Sequence, residues 1–230
     1  MRRFITAASV VAVLTAASVL PAGAQDYRSS VGWNAGAIMT TSLNDGAAGV
    51  EGLVDLKPDL TWALGAHWDR WVGGSGQVGF RLQGGLSRHV LPWTQGDRTI
   101  QVIAADVGLL LRPVAPTPYR TVLPFIGAGV GLINWGLGDG PVTTFSPAGA
   151  TYPGDEKPQL MAVVGVGIDL VTPWQWGEGP LVLRLEGRNH LQFASPFDPS
   201  NPDQGDFGMI HNAVASVGLH TGMGALGGNR

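Results

Sequence analysis

Cysteine is absent from all 230 residues, so no disulfide staples the chain, and an exported protein built this way needs a large core or an extended hydrogen-bonded sheet. Charge is also scarce. Only 13% of the residues are Asp, Glu, Lys or Arg, about half the share of an ordinary soluble domain, which leaves little surface meant for water. Beyond residue 24 no run of 18 consecutive apolar residues occurs, which excludes membrane-spanning helices. Setting aside Arg2 and Arg3, 12 basic residues stand against 17 acidic ones, a net charge of −5. Nucleic-acid binding, which needs a basic surface, is not expected.

The first 24 residues carry a separate instruction. Arg2 and Arg3 precede an apolar stretch from Phe4 to Leu20, followed by Ala22-Gly23-Ala24. A positive start, an apolar core and small residues at the end form a secretory signal with cleavage after Ala24. Residues 1–24 are therefore expected to be a cleaved signal peptide and 25–230 a single domain.

The rest of the chain is patterned with period 2. Eight segments, near 31–43, 60–71, 77–89, 98–112, 121–134, 160–171, 181–193 and 208–222, alternate an apolar set with a small or polar set, the signature of strands. Most run 12 to 15 residues, against about five or six in common globular strands and about nine to eleven for a tilted strand crossing a bilayer. Connections alternate in kind. Residues 72–76, 113–120 and 172–179 are short turns, whereas 44–59, 135–159 and 194–207 are longer and rich in Asp, Gly and Pro, with only the "LPWTQGD" connection short in this second set. Short turns on one side and long loops on the other suit an even-stranded barrel with both termini on the turn side.

Alternation alone permits an apolar inside or an apolar outside. Glycine separates the two. In "LPFIGAGVGLINWG" Gly127, Gly129 and Gly131 alternate with Ile126, Ala128, Val130 and Leu132, and Gly165 and Gly167 recur on the strand near 160–171. A solvent face gains nothing from glycine. The interior of an eight-stranded barrel, only just wide enough for side chains, does. The expected fold is thus all-β: an eight-stranded antiparallel up-and-down transmembrane β-barrel with its apolar face in lipid.

That choice puts His67, Asp69, Arg81, Asp106, Arg112, Asp169, Arg184, Glu186, Arg188 and His190 into a polar lumen. Hairpin arithmetic centred on 90–97 sets Arg81 opposite Asp106 with His67 on its other flank, and the 172–179 turn sets Asp169 opposite Arg184. Opposite charges in register attract, and buried ones must be paired. The network reads as a structural plug; an ion path is the functional alternative. Trp33, Trp62, Trp68, Trp93, Trp174, Trp176 and Phe193 fall at strand ends, where aromatic girdles meet the membrane interfaces. By parity Trp71 and Trp135 do not face lipid cleanly.

With "PFIGAGVGLINW", "LRLEGRNHLQF" and the closing "HNAVASVGLHTGM", the chain resembles the bacterial outer-membrane β-barrel domain group, the OmpA/OmpX/OmpW-like small barrels. The resemblance covers nearly all of residues 25–230 and is one of pattern. It implies export to the outer membrane, contact with outer-membrane lipid, lipopolysaccharide and the assembly machinery, and a monomer with a structural or surface-interaction role. Porin-like passage of small solutes is less favoured.

Other sites are weaker. "GGSGQVG" has dinucleotide-loop spacing but leads into a strand, and reads as a turn. Asp198, Asp203 and Asp206 gather oxygen ligands without a calcium-loop spacing. Ser216 and His220 share a strand face about 13 Å apart, too far for direct proton transfer. No catalytic set, metal or cofactor is expected, and the reading is of a non-enzyme. The alternatives are a soluble lipocalin-like barrel holding an apolar ligand, and an outer-membrane lipid-modifying enzyme dependent on Ser216 or His220.

Overall fold

A computed structural model describes residues 29–41, 58–73, 75–91, 98–117, 119–137, 158–176, 179–193 and 209–223. Eight strands run β1 (Ser29–Thr40), β2 (Thr61–Val72), β3 (Val78–Leu91), β4 (Arg98–Leu111), β5 (Val122–Leu137), β6 (Gln159–Trp176), β7 (Gly179–Gln192) and β8 (Ile210–Met223). Each pairs antiparallel with its chain neighbours, and β1 with β8 closes the barrel. The expected eight-stranded antiparallel barrel is the observed one. The expected signal segment 1–24, Trp93 and the acidic 198–206 stretch lie outside the described residues.

Register fixes the bore. Stepping across the ladders from Ser29 passes Arg70, Phe80, Leu109, Ala128, Val164, Asn189 and Ala213 and returns to β1 at Met39, ten residues from the start. Eight strands with a shear of ten tilt by about 40° and lie on a cylinder of about 8 Å radius. Side chains fill such a tube.

The two faces are inverted relative to a soluble barrel. Ile126, Val130, Val164, Val166, Val107, Leu82 and Val217 are exposed on the outer wall, while Arg81, Asp69, Asp169 and Arg184 are buried within. On β8 the outward run between His211 and Thr221 is Ala213, Ala215, Val217 and Leu219. Ten residues at that tilt give an apolar band about 25 Å tall, the height of the lipid-facing band of a transmembrane barrel.

Two details depart from expectation. Residues 172–179 are not a turn: β6 and β7 pair out to Trp176 and Gly179, with a register shift between Val171 and Gln175. Pro173 has no N–H for the ladder, so the strand bulges there. Thr172 staples the bulge by donating to the Leu181 carbonyl at 2.6 Å and accepting the Trp174 N–H at 3.3 Å. The lumenal glycines also have a second reason. A Cβ on Gly129 would lie 2.5 Å from the Val107 carbonyl oxygen, and one on Gly131 2.3 Å from that of Ala105. The neighbouring backbone, more than an incoming charged side chain, demands glycine there. At Gly165 the expected reason holds, since the nearest atom is Arg188 Cγ at 3.0 Å.

Candidate functional site

The inward positions of β2, β3, β4, β6 and β7, with Arg112 one residue past the end of β4, carry four arginines and four carboxylates, and alternation of sign orders them into one chain. Arg112 Nη2 donates to Asp169 Oδ2 at 2.8 Å. Arg184 takes the same carboxylate in a fork, at 2.7 and 3.0 Å, and reaches Asp69 Oδ2 with Nη1 at 2.7 Å. Arg81 holds Asp69 in a second fork, at 2.8 and 3.1 Å, and donates to Glu186 Oε1 at 2.5 Å. Arg188 Nε lies 3.9 Å from that oxygen, and its Nη2 donates to Asp106 Oδ1 at 2.7 Å. All eight residues are buried. Two-pronged, charge-assisted contacts of this kind are the strong class of hydrogen bond.

The charges balance, four against four, and the pairs cross the lumen as well as adjacent strands. Aromatic rings lie against three of the guanidinium groups. Arg112 Cζ is 3.6 Å from the Trp71 ring centroid, and Arg184 and Arg81 lie 4.6 and 5.3 Å from that of Phe125. A cation over an aromatic face gains further in a dry site. His67 Nε2 accepts from Arg184 Nη1 at 3.2 Å, and His220 Nε2 lies 3.3 Å from Asp169 Oδ1.

Of the residues marked from sequence, nine thus meet in one cluster and His190 does not join it. His190 is buried further toward the long-loop side, where its carbonyl accepts from Asn212 Nδ2 at 3.4 Å. Asp169 and Arg184 are directly opposed. The pairing assigned to Arg81 is corrected: it faces Gly108 on β4 and Asp69 on β2, while Asp106 faces Gln83 and pairs with Arg188 across the lumen. Both errors have one cause. Placing a hairpin centre one residue early displaces every partner by two, which keeps the face and changes the neighbour. Trp71, Phe125 and His220 were not counted in the network; their inward parity was the available signal.

On the long-loop side the lumen is closed by neutral groups. Thr40 Oγ1 donates to Asn212 Oδ1 at 2.8 Å, Trp135 Nε1 to Gln192 Oε1 at 3.0 Å, and Gln192 in turn to Gln159. Ser87 Oγ and His89 Nε2 are 3.0 Å apart. Outside, Trp33, Trp68, Trp174 and Trp176 stand exposed toward the short turns, and Trp62 and Phe193 toward the long loops. Trp68 Nε1 donates to Ser29 Oγ at 2.8 Å, an apolar ring with a satisfied polar tip as an interface favours.

No family model and no curated protein matches the chain. Solved structures do. Neisserial surface protein A superposes with a TM-score of 0.52 at 8% identity, covering 85% of this chain and 97% of that one. The outer membrane protein AlkL in lipid bilayers gives 0.49 at 14% identity over 92% and 98%, and OprG from Pseudomonas aeruginosa 0.48 at 10% over 87% and 98%. Closed strand order, inverted faces and the likeness to Neisserial surface protein A together show the fold of the small bacterial outer-membrane β-barrels.

Proposed function

We propose that the protein is an integral outer-membrane barrel, exported by the signal in residues 1–24, that acts as a monomeric, plugged scaffold. Its role on this reading is envelope integrity and the presentation of its four long-side connections at the cell surface, in contact with outer-membrane lipid and lipopolysaccharide and delivered by the barrel-assembly machinery. One observation carries the reading. The alternating chain from Arg112 to Asp106 spans the lumen with its charges internally matched, so a permeating ion would have to separate buried pairs whose rupture costs several kcal/mol.

Membrane fractionation and planar-bilayer recording test this together. The expected result is recovery in the outer membrane, a boiling-dependent gel shift, and no steady ion conductance in concentrated KCl. A stable open-channel current would overturn the plugged scaffold, and recovery in the soluble periplasm would overturn the location.

A further inference from the structure

The lipid-facing wall is not evenly raised. Two adjacent rungs of the ladder from β7 to β1 set Gly187, Ala213, Ala215 and Ala37 side by side on the outside. Val164 and Val166 on one flank, and Met39 and Leu60 on the other, stand exposed around them. The result is an open, apolar trough of ≈ 610 Å³, within the range of about 300–1,000 Å³ of ordinary ligand sites. A Cβ added at Gly187 would meet no atom within 4 Å, so the trough is open directly above that residue.

A polar pair marks the loop-side end of this trough. Inside the apolar band, β6, β7, β8 and β1 turn apolar side chains or glycine outward, with Asn189 the one exception. A polar side chain at membrane depth is costly, and where it persists it marks a site. Asn189 lines the trough, and its Nδ2 lies 2.9 Å from Nδ1 of His211, the outward residue at the edge of the band. With the amide nitrogen facing the ring, Nδ1 accepts and the ring proton sits on Nε2, which remains as the ring's donor.

Shape and chemistry select the occupant. Water gains nothing from an apolar lining, and such spaces stay dry. A second copy meeting through this face in a two-fold pair would set trough against trough and leave the space unfilled. An acyl chain is flexible, continuous with the lipid that already covers the band, and fills the trough by dispersion contact. Its linkage oxygen then meets the His211 donor at the height where chain gives way to headgroup.

We propose that the trough is a binding site for one acyl chain of a lipopolysaccharide molecule, with His211 Nε2–H donating to an oxygen where that chain joins the headgroup. The site rests on the outer-membrane reading, which turns the long loops and His211 toward the outer leaflet. It goes beyond general contact with lipid: one molecule is held at one place on the wall.

The test uses the isotope-labelled protein in nanodiscs of dimyristoylphosphatidylcholine, titrated with lipid A or with its deacylated headgroup. Lipid A is expected to shift the backbone amides of Gly187, Ala213 and Ala215 saturably, while Leu82 and Val107 on the far wall show no saturation. The deacylated headgroup should not reproduce those shifts. Gly187→Leu occupies the trough without a clash and should weaken lipid A by about threefold or more. His211→Leu should weaken it by about fivefold. Ala35→Leu, on the same wall but outside the trough, should leave binding unchanged. Non-saturating shifts spread evenly around the wall, equal shifts from the deacylated headgroup, or unaltered binding in Gly187→Leu would each overturn the proposal. Pairing of barrels through the β7–β1 face would give the trough to a second copy and overturn it too. Failure to insert into the bilayer would overturn the membrane reading itself, whereas insertion without a saturable site overturns this site alone. The two probes on the unmodified protein decide the matter even if a variant fails to fold.

Discussion

The two halves of the lumen solve the same problem with different chemistry. Toward the short turns, Arg112, Asp169, Arg184 and Asp69 interlock through short ionic contacts over the Trp71 and Phe125 rings. Toward the long loops, Thr40, Asn212, Trp135, Gln192 and Gln159 close the tube with neutral hydrogen bonds above Ile38, Val102, Ile133 and Val163. A charged interior is rigid, since each carboxylate must keep its guanidinium, and no partner can be removed alone. A neutral interior tolerates loss and leaves space. The difference assigns register and rigidity to the turn side and adaptability to the loop side.

The sharpest way to break that contrast is at Arg184, which contacts two carboxylates at 2.7 Å. Arg184→Leu strands Asp169 with only Arg112 and His220, and weakens Asp69. A loss of about 3–5 kcal/mol is expected, enough to abolish the folded, heat-modifiable form or to move its urea midpoint by several molar in detergent. An unchanged midpoint would mean the chain of charges does not hold the barrel. Arg188 sits at the boundary of the halves and sharpens the comparison. Arg188→Met alone should cost about 3 kcal/mol by orphaning Asp106, whereas Arg188→Met with Asp106→Leu should recover most of that, because an apolar pair replaces an ion pair at little net cost. Equal losses in the single and double variants would show that Asp106 is stabilised by something else.

Glycine reports packing on the turn side. A Cβ at Gly167 would lie 2.4 Å from Phe125 Cζ, and Phe125 is buried beneath Arg184 and Arg81. Gly167→Ala should therefore cost about 1–3 kcal/mol through overpacking, read as a lowered urea midpoint. On the loop side, Gln192→Leu removes the acceptor of the Trp135 N–H and should cost only about 1 kcal/mol. A loss as large as that of Arg184→Leu would erase the distinction between the halves.

Much of this organisation was legible in the residues, for a definable reason. Parity survives errors of position: mistaking a turn centre by one residue moves a partner by two and leaves the face intact. That is why Arg81, Asp69 and Asp106 could be put inside together while Arg81 was given the wrong partner. Contacts across the lumen, such as Arg81 to Glu186 and Arg188 to Asp106, depend on tilt and shear, which no single strand encodes. The bulge at Pro173 was hidden because Pro and Gly in "TPWQWGEG" signal turns and bulges alike. Gly129 and Gly131 were recognised as interior, but their reason, the approach of the β4 carbonyls, belongs to the curvature of the closed sheet.

The smallest expected effect is at Gly85, and it tests the looser half most directly. A Cβ there meets no atom closer than the Leu64 carbonyl oxygen at 3.4 Å, an ordinary contact, and it would border a small cavity of ≈ 50 Å³. Alanine restricts the unfolded chain relative to glycine, an advantage of about 0.4–1 kcal/mol where the backbone accepts it. Gly85→Ala should thus leave the urea midpoint unchanged or raise it slightly, the opposite sign to Gly167→Ala on the turn side. One methyl group, added to the same kind of strand in the same tube, reads out whether space or strain surrounds it. If both variants lose stability equally, the loop-side half is as tightly filled as the charged half, and the small cavity beside Gly85 is not open space in the folded protein.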